Sequence, residues 1–384
     1  MYSITRTSPI LFGAGVSGQT GEKVRELGCR KVILVTDKGI KDAGIAGGVL
    51  KSLKEAGIET FLYDGILPDP TDGIIEEAAA VARNEGVDGV VAVGGGSVMD
   101  AAKGVNVLLT NPPPISRYYG VNVPQNPGKV LVLLPTTAGT GSEVTCISVV
   151  TDTQNNRKIG VIGANCMATL VIVDPELTLK MPPSLTAATG MDAFSHAAEA
   201  LTSALANPVA DILAEKAVAL VSQYLPRAVK DGSDLEARTQ LSLAAMISGI
   251  AFNDALPHLG HAIAHTLGAR FHIPHGVACA AVLPEVIEYA VDVAPEKVRI
   301  IGKAMGLKLD DGAPDREVAG KVAGAVKDLR AGVGMPALKD LKIEEQALYG
   351  LAPDVLKDDC AAFVPRETTA EMVREVLRAA YGRG

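Results

Sequence analysis

The first half of the chain alternates short apolar runs with amphipathic segments, and this alternation limits the possible folds more than any other feature. Four runs of β-branched and aliphatic residues have the length of buried strands, at residues 32–36, 60–63, 89–93 and 130–134. Segments with helical period separate the first three of them, at residues 47–56 and 74–84. Strand, helix and strand at this spacing predict βαβ units and a parallel sheet with helices on both faces.

The pattern changes at two consecutive prolines, Pro182 and Pro183. Three more strand-like runs precede them, at residues 148–151, 158–162 and 170–173. Almost every segment after them has helical period, at residues 185–206, 210–225, 235–252, 258–269, 277–290 and 368–381. A chain of 384 residues also exceeds the usual size of one domain. We therefore expect an α/β domain with a Rossmann-like parallel sheet at residues 1–181 and an all-α domain at residues 182–384.

Charge and composition exclude two classes of partner. The chain has 36 basic and 44 acidic residues, a net charge of −8, and no basic run. With no tryptophan and few other aromatic residues, it lacks both the charge and the stacking surfaces that nucleic-acid binding requires. No apolar run is long enough to span a bilayer, so no membrane partner is expected.

The cysteines predict a reducing environment. They are odd in number, widely spaced and without a CxxC pair, at Cys29, Cys146, Cys166, Cys279 and Cys360. A disulfide scaffold is not expected in so large a chain. The N-terminal segment also lacks the charged start and long apolar run of a signal peptide. We expect a cytoplasmic protein.

The histidines are concentrated in one part of the helical half. All six lie between residues 196 and 275, at His196, His258, His261, His265, His272 and His275. Histidines dispersed over a surface would rarely cluster in this way. The cluster therefore predicts a functional site in the helical half.

Their spacing is compatible with a metal site. Asp192 and His196 are four residues apart, as are His261 and His265, so each pair shares one helix face, and His275 lies in a Pro-His-Gly turn. A carboxylate with imidazoles suits Fe²⁺ or Zn²⁺, whereas calcium and magnesium prefer oxygen ligands. Each pair alone is more often a helix-surface contact, whereas the occurrence of both pairs with the Pro-His-Gly turn favours a metal site. Spacing does not say which histidines are ligands.

Three glycine-containing loops are candidates for binding the phosphates of a cofactor. Residues 13–18 match GxGxxG, and Asp37 ends a strand about 20 residues later. Residues 94–97, GGGS, directly follow a strand and open a helix whose N-terminus would face a pyrophosphate, and we favour this loop. Residues 135–143, PTTAGTGSE, also leave a strand. Asp37 would bind an adenosine ribose and repel a 2′-phosphate, favouring NAD over NADP, although it could instead cap a helix.

Six short motifs follow one another along nearly the whole chain. They are PDPT at 68–71, GGGSVMDAAK at 94–103, PTTAGTGSEVT at 135–145, VDPELTLKMPP at 173–183, GMDAFSHAAEA at 190–200 and HAIAH with PHG within 261–276. Together they resemble the iron-dependent, or group III, alcohol dehydrogenases. The resemblance implies a dehydroquinate synthase-like architecture, with a dinucleotide domain, a helical domain and an active site in the cleft between them. It also implies a homodimer.

The resemblance assigns roles to individual residues. It makes Asp192, His196, His261 and His275 the metal ligands, with His265 one turn beyond a ligand. It makes Gly94, Gly95, Gly96 and Ser97 the pyrophosphate loop and associates Asp37 with NAD preference. Further positions that match the cofactor's surroundings are Asp100, Thr136, Thr137, Thr140 and Lys158. Asp69 stands where several relatives have asparagine. His258 and His272 are expected to be structural or to support the ligands rather than to bind the metal.

The predicted activity is hydride transfer between NAD(H) and a small primary alcohol, diol or aldehyde bound to Fe²⁺, with Zn²⁺ as the alternative metal. The metal would polarise the substrate oxygen, and His265 would relay the proton to solvent. Two alternatives share the architecture: a zinc-dependent polyol dehydrogenase and a dehydroquinate synthase-like lyase that regenerates its NAD. The lyase would need basic residues for an acidic substrate, and the metal motif offers chiefly Arg270.

Overall fold

The chain divides into an α/β unit and a helical unit, and the division falls at Pro182. The computed structural model describes residue 2, residues 4–155 and residues 157–382. The α/β unit is Arg6–Met181, and the helical unit is Pro182–Gly384 with Met1–Thr5. Thr5 belongs with the helices because its backbone N–H donates to the Asp254 carboxylate at 2.9 Å. The predicted fold class, a parallel α/β half followed by a helical half, is confirmed.

The α/β unit is built on a six-stranded sheet in which every pairing is parallel. Its strands are β1 (Ile10–Phe12), β2 (Lys31–Val35), β3 (Glu59–Tyr63), β4 (Gly89–Gly94), β6 (Val130–Pro135) and β9 (Leu170–Val173), in the order β1-β9-β6-β4-β2-β3. Because β4 is buried on both faces, its sequence reads as a continuous apolar run. Parallel strands end at one edge, so the loops that follow β2, β4 and β6 lie along the same edge of the sheet.

Helices cover both faces of this sheet. They are α1 (Thr20–Glu26), α2 (Lys38–Asp42), α3 (Ile45–Glu55), α4 (Asp72–Glu85) and α5 (Gly96–Leu108). On one face Val24 of α1 and Leu53 of α3 pack against alternate strand residues such as Leu34 and Val91. The intervening residues point to the opposite face, where α5 packs on β4 and β6 and α4 packs on α5.

A smaller three-stranded sheet follows the main one. It contains β5 (Gly120–Val121), β7 (Ile147–Asp152) and β8 (Arg157–Ile162) in the order β5-β8-β7. β7 and β8 are antiparallel because the turn between them is too short for a parallel crossover. The Asp152 carboxylate stabilises that turn by accepting the backbone N–H groups of Gln154 and Asn155. Two of the predicted strands therefore lie outside the main parallel sheet.

The helical unit begins directly after the two prolines. Its helices are α6 (Pro183–Thr202), α7 (Pro208–Lys230), α8 (Leu235–Ala255), α9 (Leu259–Phe271), α10 (His275–Ala290), α11 (Pro295–Ala304), α12 (Asp315–Gly332), α13 (Glu345–Tyr349), α14 (Ala352–Val355) and α15 (Ala370–Gly382). One apolar cluster joins α9, α10, α14 and α15 through residues such as Leu267, Val282, Val355 and Leu377. Among the described residues, no helix combines the length and hydropathy needed to cross a membrane.

Candidate functional site

Helix α6 presents three polar side chains in the interior of the helical unit. Asp192, His196 and Glu199 are spaced four and three residues apart, so they share one face of the helix. All three are buried among apolar neighbours. The ring of His196 stacks on Phe252 of α8 with centroids 4.2 Å apart, which holds its orientation.

The remaining predicted ligands come from the next helices. His261 lies in the first turn of α9, and His275 is the first residue of α10. The expected Pro-His-Gly turn is thus wrong in detail, because Pro274 is the N-cap and His275 already belongs to the helix. Because α10 begins at His275, Cys279 four residues later lies on the same face of the helix as His275.

The structure brings the four predicted ligands together. Asp192 Oδ1 lies 3.3 Å from His275 Nε2, 3.9 Å from His261 Nε2 and 3.9 Å from His196 Nδ1. Within the described part of the chain, Asp192 Oδ1, His196 Nδ1 and His261 Nε2 are buried without a hydrogen-bond partner. Buried polar atoms are normally paired, so three unpaired ligand-type atoms in one place fit a bound cation. The side chain of His275 is 30 % exposed, which leaves one side of the group open.

One group of potential metal donors among the described residues differs from the predicted ligand set by one residue. Asp192, His261, His275 and Cys279 have ligand atoms that all lie within 4.8 Å of one another. Cys279 Sγ is 3.7 Å from His275 Nε2. His196 lies at the margin of this set. The sequence prediction omits this thiol because it places His275 in a turn rather than at the start of a helix.

Glu199 orients one of the ligands. Its buried carboxylate accepts the backbone N–H groups of His258, Gly260 and His261 at the start of α9, at 2.7–3.1 Å. It also accepts the Nδ1–H of the His261 ring, which directs Nε2 toward Asp192. A Cβ at Gly260 would lie 2.9 Å from Glu199 Oε2, so a larger residue at this position would displace the carboxylate. Our sequence reasoning did not identify Glu199 as a functional residue.

The electrostatics of the group favour cation binding at neutral pH. Burial lowers the pKa of His196 to about 3 and that of His261 well below its ordinary value. Burial acts in the opposite direction on Asp192, but the imidazoles around it outweigh that effect and hold its pKa below the ordinary value. Neutral imidazoles and an ionised carboxylate are the protonation states that a divalent cation requires.

His265 has its own carboxylate partner. Its Nδ1 lies 3.0 Å from Asp358 Oδ2, and its ring stacks on that of His275 with centroids 5.3 Å apart. Both members of the pair are partly exposed. A half-buried histidine that contacts a candidate ligand on one side and a carboxylate on the other is suitably placed to pass protons.

The other two histidines lie outside the ligand group. His258 is fully buried, with Nε2 2.8 Å from Thr202 Oγ1 and Nδ1 3.3 Å from Glu199 Oε1. His272 is exposed and ends α9 in the left-handed conformation, with φ of 54°. The roles expected for these two histidines stay predictions.

In the α/β unit, the favoured glycine loop connects β4 to α5. Gly95 is the N-cap of α5 and provides no side-chain hydrogen bond, so the start of this helix has no side-chain cap. The loop that follows β6 packs against it, with Thr137 near Gly95 and Thr140 near Gly96. A Cβ at Gly96 would lie 2.7 Å from Thr140 Cγ2, so a side chain at this position would clash with the threonine. The glycines let a pyrophosphate approach the backbone closely, and the uncapped N-terminus of α5 offers it free N–H groups.

In the competing loop at residues 13–18, backbone N–H groups already donate to another part of the protein. The backbone N–H groups of Gly15 and Ser17 donate to the carboxylate of Asp174, at 3.0 and 2.9 Å. Two of the groups that would bind phosphate are therefore already satisfied. The structure thus favours the loop after β4.

The remaining predicted cofactor residues lie around the same edge of the sheet. Asp37 follows β2 and caps α2, accepting the Ile40 N–H at 2.9 Å. Lys158 pairs with Asp69 at 2.6 Å, and the Asp69 N–H lies 3.3 Å from Ser97 Oγ. Thr136 donates its backbone N–H to Gly94 and has a buried hydroxyl without a hydrogen-bond partner among the described residues.

A buried lysine that sequence reasoning missed anchors the loop after β6. Lys103 has no exposed surface, and its Nζ contacts oxygens of Ser142, Thr145 and Ile147 at 2.6–3.2 Å. One turn earlier, Asp100 accepts the Ser142 hydroxyl at 2.6 Å. Burial lowers the pKa of Lys103 and raises that of Asp100. The contacts of both residues fix the loop that holds Thr137 and Thr140.

Comparison with known proteins identifies the family of this chain. The protein-family model described as "Iron-containing alcohol dehydrogenase" matches residues 7–175. A second family model, described as "Fe-containing alcohol dehydrogenase family, C-terminal", matches residues 186–381. The chain is 39% identical to a 1,3-propanediol dehydrogenase of Klebsiella pneumoniae over 374 residues, 96% of each chain. A crystal structure of a 1,3-propanediol oxidoreductase superposes with a TM-score of 0.96 at 37% identity, covering 99% of this chain and 100% of that one. A sulfoacetaldehyde reductase of Bifidobacterium kashiwanohense, solved with NAD⁺, superposes with a TM-score of 0.90 at 30% identity, covering both chains fully.

Proposed function

The chain belongs to the iron-containing alcohol dehydrogenase family, and from that membership we propose which of its residues perform the reaction. It is an NAD-dependent, metal-dependent oxidoreductase that interconverts alcohols and aldehydes. This membership favours a dehydrogenase over the lyase that shares the architecture. We propose that the substrates are small primary alcohols, diols and the corresponding aldehydes.

We propose Asp192, His196, His261 and His275 as the ligands of one Fe²⁺. The observation that carries the proposal is the convergence of three buried ligand-type atoms that have no hydrogen-bond partner among the described residues. One carboxylate and three neutral imidazoles leave a divalent cation a net charge of about +1. When bound, that cation supplies Lewis acidity to a substrate oxygen. Zn²⁺ accepts similar donors and is the alternative metal.

An anaerobic activity screen tests the proposal. The metal-free protein is supplied with Fe²⁺ or Zn²⁺ and assayed over a panel of small aldehydes with NADH and with NADPH. We expect turnover only after metal addition, with NADH preferred. Full activity in the metal-free protein would exclude a metal-dependent reaction.

We propose that Gly94, Gly95, Gly96 and Ser97 bind the pyrophosphate of NAD through the N-terminus of α5. The uncapped start of that helix and its position after β4 support this assignment. Asp100, Thr136, Thr137, Thr140 and Lys158 complete the binding surface, and Asp37 binds the adenosine ribose. When bound, the nicotinamide supplies the hydride acceptor or donor.

Replacing Asp37 with serine tests its role in cofactor choice. Serine can keep the cap of α2 while removing the carboxylate that would repel a 2′-phosphate. We expect the ratio of kcat/KM for NADH to that for NADPH to fall by about tenfold or more, because like charges in contact cost several kcal/mol. The matched control is Asp42→Ser, which changes the net charge equally at the exposed end of α2. An unchanged ratio in Asp37→Ser would remove Asp37 from cofactor discrimination.

We propose that His265 relays a proton between the substrate and solvent, oriented by Asp358. The 3.0 Å contact with Asp358 and the partial exposure of both side chains support this role. Replacing His265 with alanine should lower kcat by about a hundredfold, the usual scale of proton-transfer catalysis, while one metal per chain is retained. Steady-state kinetics and metal analysis on the same samples check both parts.

The control for this variant is His272→Asn, which removes an exposed histidine at a position where asparagine tolerates the left-handed backbone. Its kinetics should match those of the unchanged enzyme. If His265→Ala loses its metal in proportion to its activity, His265 is a ligand or a structural residue rather than a relay.

We also propose a cytoplasmic location and a homodimer. The cysteines are odd in number, widely spaced and without a CxxC pair, which suits a reducing compartment. The dimer follows from the family resemblance, and light scattering that gives the mass of one chain would refute it.

A further inference from the structure

A thiol lies beside the proposed metal ligands, and the ligand set assigned above does not use it. Cys279 is one turn after His275 on α10 and is almost completely buried. Its Sγ lies 3.7 Å from His275 Nε2 and within 4.8 Å of the donor atoms of Asp192 and His261. The placement follows from the helix, since residues four apart share a face.

A second observation shows that this space is suited to a cation. Asp192 Oδ1 and His261 Nε2 are buried and have no hydrogen-bond partner among the described residues. Metal bonds of about 2.0–2.3 Å, at angles between about 90° and the tetrahedral value, place neighbouring donor atoms roughly 2.8–3.8 Å apart. The separations from His275 Nε2 to Asp192 Oδ1, 3.3 Å, and to Cys279 Sγ, 3.7 Å, fall in this range.

We propose that Cys279 is an additional ligand of the metal centre and that its thiolate shifts the site's preference from Fe²⁺ toward Zn²⁺. The inference rests on the proposed function, because it takes Asp192 and the histidines as the other donors. Thiolate is a soft ligand and is common in zinc sites, whereas carboxylate and imidazole alone do not discriminate strongly between these metals.

Bond formation requires the loss of one proton. In the absence of metal the side chain is a thiol, the ordinary form of cysteine at neutral pH. When the sulfur binds the divalent cation, the S–H proton leaves to solvent and the sulfur donates its electron pair to the metal. No oxidant or reductant takes part.

Cobalt substitution tests the inference directly. Co²⁺ is added anaerobically to the metal-free, full-length protein, and the near-ultraviolet spectrum is searched for thiolate-to-cobalt charge transfer. We expect the band in the unchanged protein and its loss in Cys279→Ala and Cys279→Ser, with one bound Co²⁺ per chain in all three.

The matched control is Cys360→Ala. Cys360 belongs to a neighbouring group with His265 and Asp358, whose three donor atoms also lie within 4.8 Å of one another. This variant should keep the band. A band that survives in Cys279→Ala but disappears in Cys360→Ala would overturn the proposal.

Metal competition gives an independent readout. Equal concentrations of Fe²⁺ and Zn²⁺ are offered under anaerobic conditions, and bound metal is measured after equilibration. Cys279→Ala should lower the Zn²⁺-to-Fe²⁺ ratio by about tenfold, the scale on which a single group tunes metal affinity. An unchanged ratio contradicts the inference.

The outcomes separate this inference from the proposed function. If Co²⁺ binds at one equivalent without a thiolate band, Cys279 is not a ligand and the four-residue metal site stands. If the protein binds no Co²⁺, both the metal site and the added ligand are wrong.

Discussion

Replacing His261 with alanine should abolish metal retention and lower turnover by at least about a thousandfold, because the metal contributes several kcal/mol to the reaction. His261 is the ligand whose orientation is most strongly fixed. Glu199 holds its Nδ1, and its Nε2 is buried and lacks a hydrogen-bond partner among the described residues. Metal content after anaerobic loading with Fe²⁺ and initial rates with a small aldehyde and NADH measure the two effects together.

The thermal stability of this variant distinguishes loss of the site from loss of the fold. We expect the metal-free forms of His261→Ala and of the unchanged protein to melt at similar temperatures. The substitution removes the unpaired Nε2, and Glu199 keeps its three backbone donors when it loses the ring N–H. A variant that keeps a full equivalent of metal and most of its turnover would show that His261 is not a ligand.

Replacing Glu199 with alanine should destabilise the helical unit and weaken metal binding at once. The carboxylate accepts three backbone N–H groups at the start of α9 and the ring N–H of His261. Its removal leaves these buried donors unpaired, which should lower the free energy of unfolding by about 3 kcal/mol or more. Since His261 also loses its orienting partner, metal affinity should fall by about 10–100-fold. Denaturant unfolding of the metal-free protein and a metal titration measure the two quantities.

Glu285→Ala is the matched control for Glu199. Glu285 is equally buried in the same unit, but it pairs with Lys327 at 2.8 Å rather than with a proposed ligand. We expect this variant to lose stability while keeping its metal affinity. If both variants lose metal to the same extent, the effect of Glu199 acts through general stability rather than through His261.

The fold could be predicted from the sequence because its signals are local. The apolar run that became β4 and the helical periods after Pro182 depend on neighbours within a few residues. The same holds for Asp192 and His196, which one turn of α6 brings to one face. The local pattern indicated that β7 and β8 are strands but not how they pair, because their antiparallel hairpin depends on the turn between them.

The parts of the site that escaped prediction depend on contacts between distant segments. Asp358 reaches His265 across 93 positions, and Asp174 satisfies the Gly15 loop across 159. Nothing in the sequence alone indicates such pairs. Glu199 and Cys279 had a usable signal, because each follows a proposed ligand by three or four residues on a helix. That signal was missed for Cys279 because His275 was assigned to a turn.

Anomalous diffraction from anaerobically grown crystals of the iron-loaded protein tests the central claim most directly. We predict one strong peak per chain at the iron edge, within about 2.3 Å of side-chain atoms of Asp192, His196, His261 and His275. A peak bound elsewhere, or fully loaded crystals in which these four side chains do not share an ion, would contradict it.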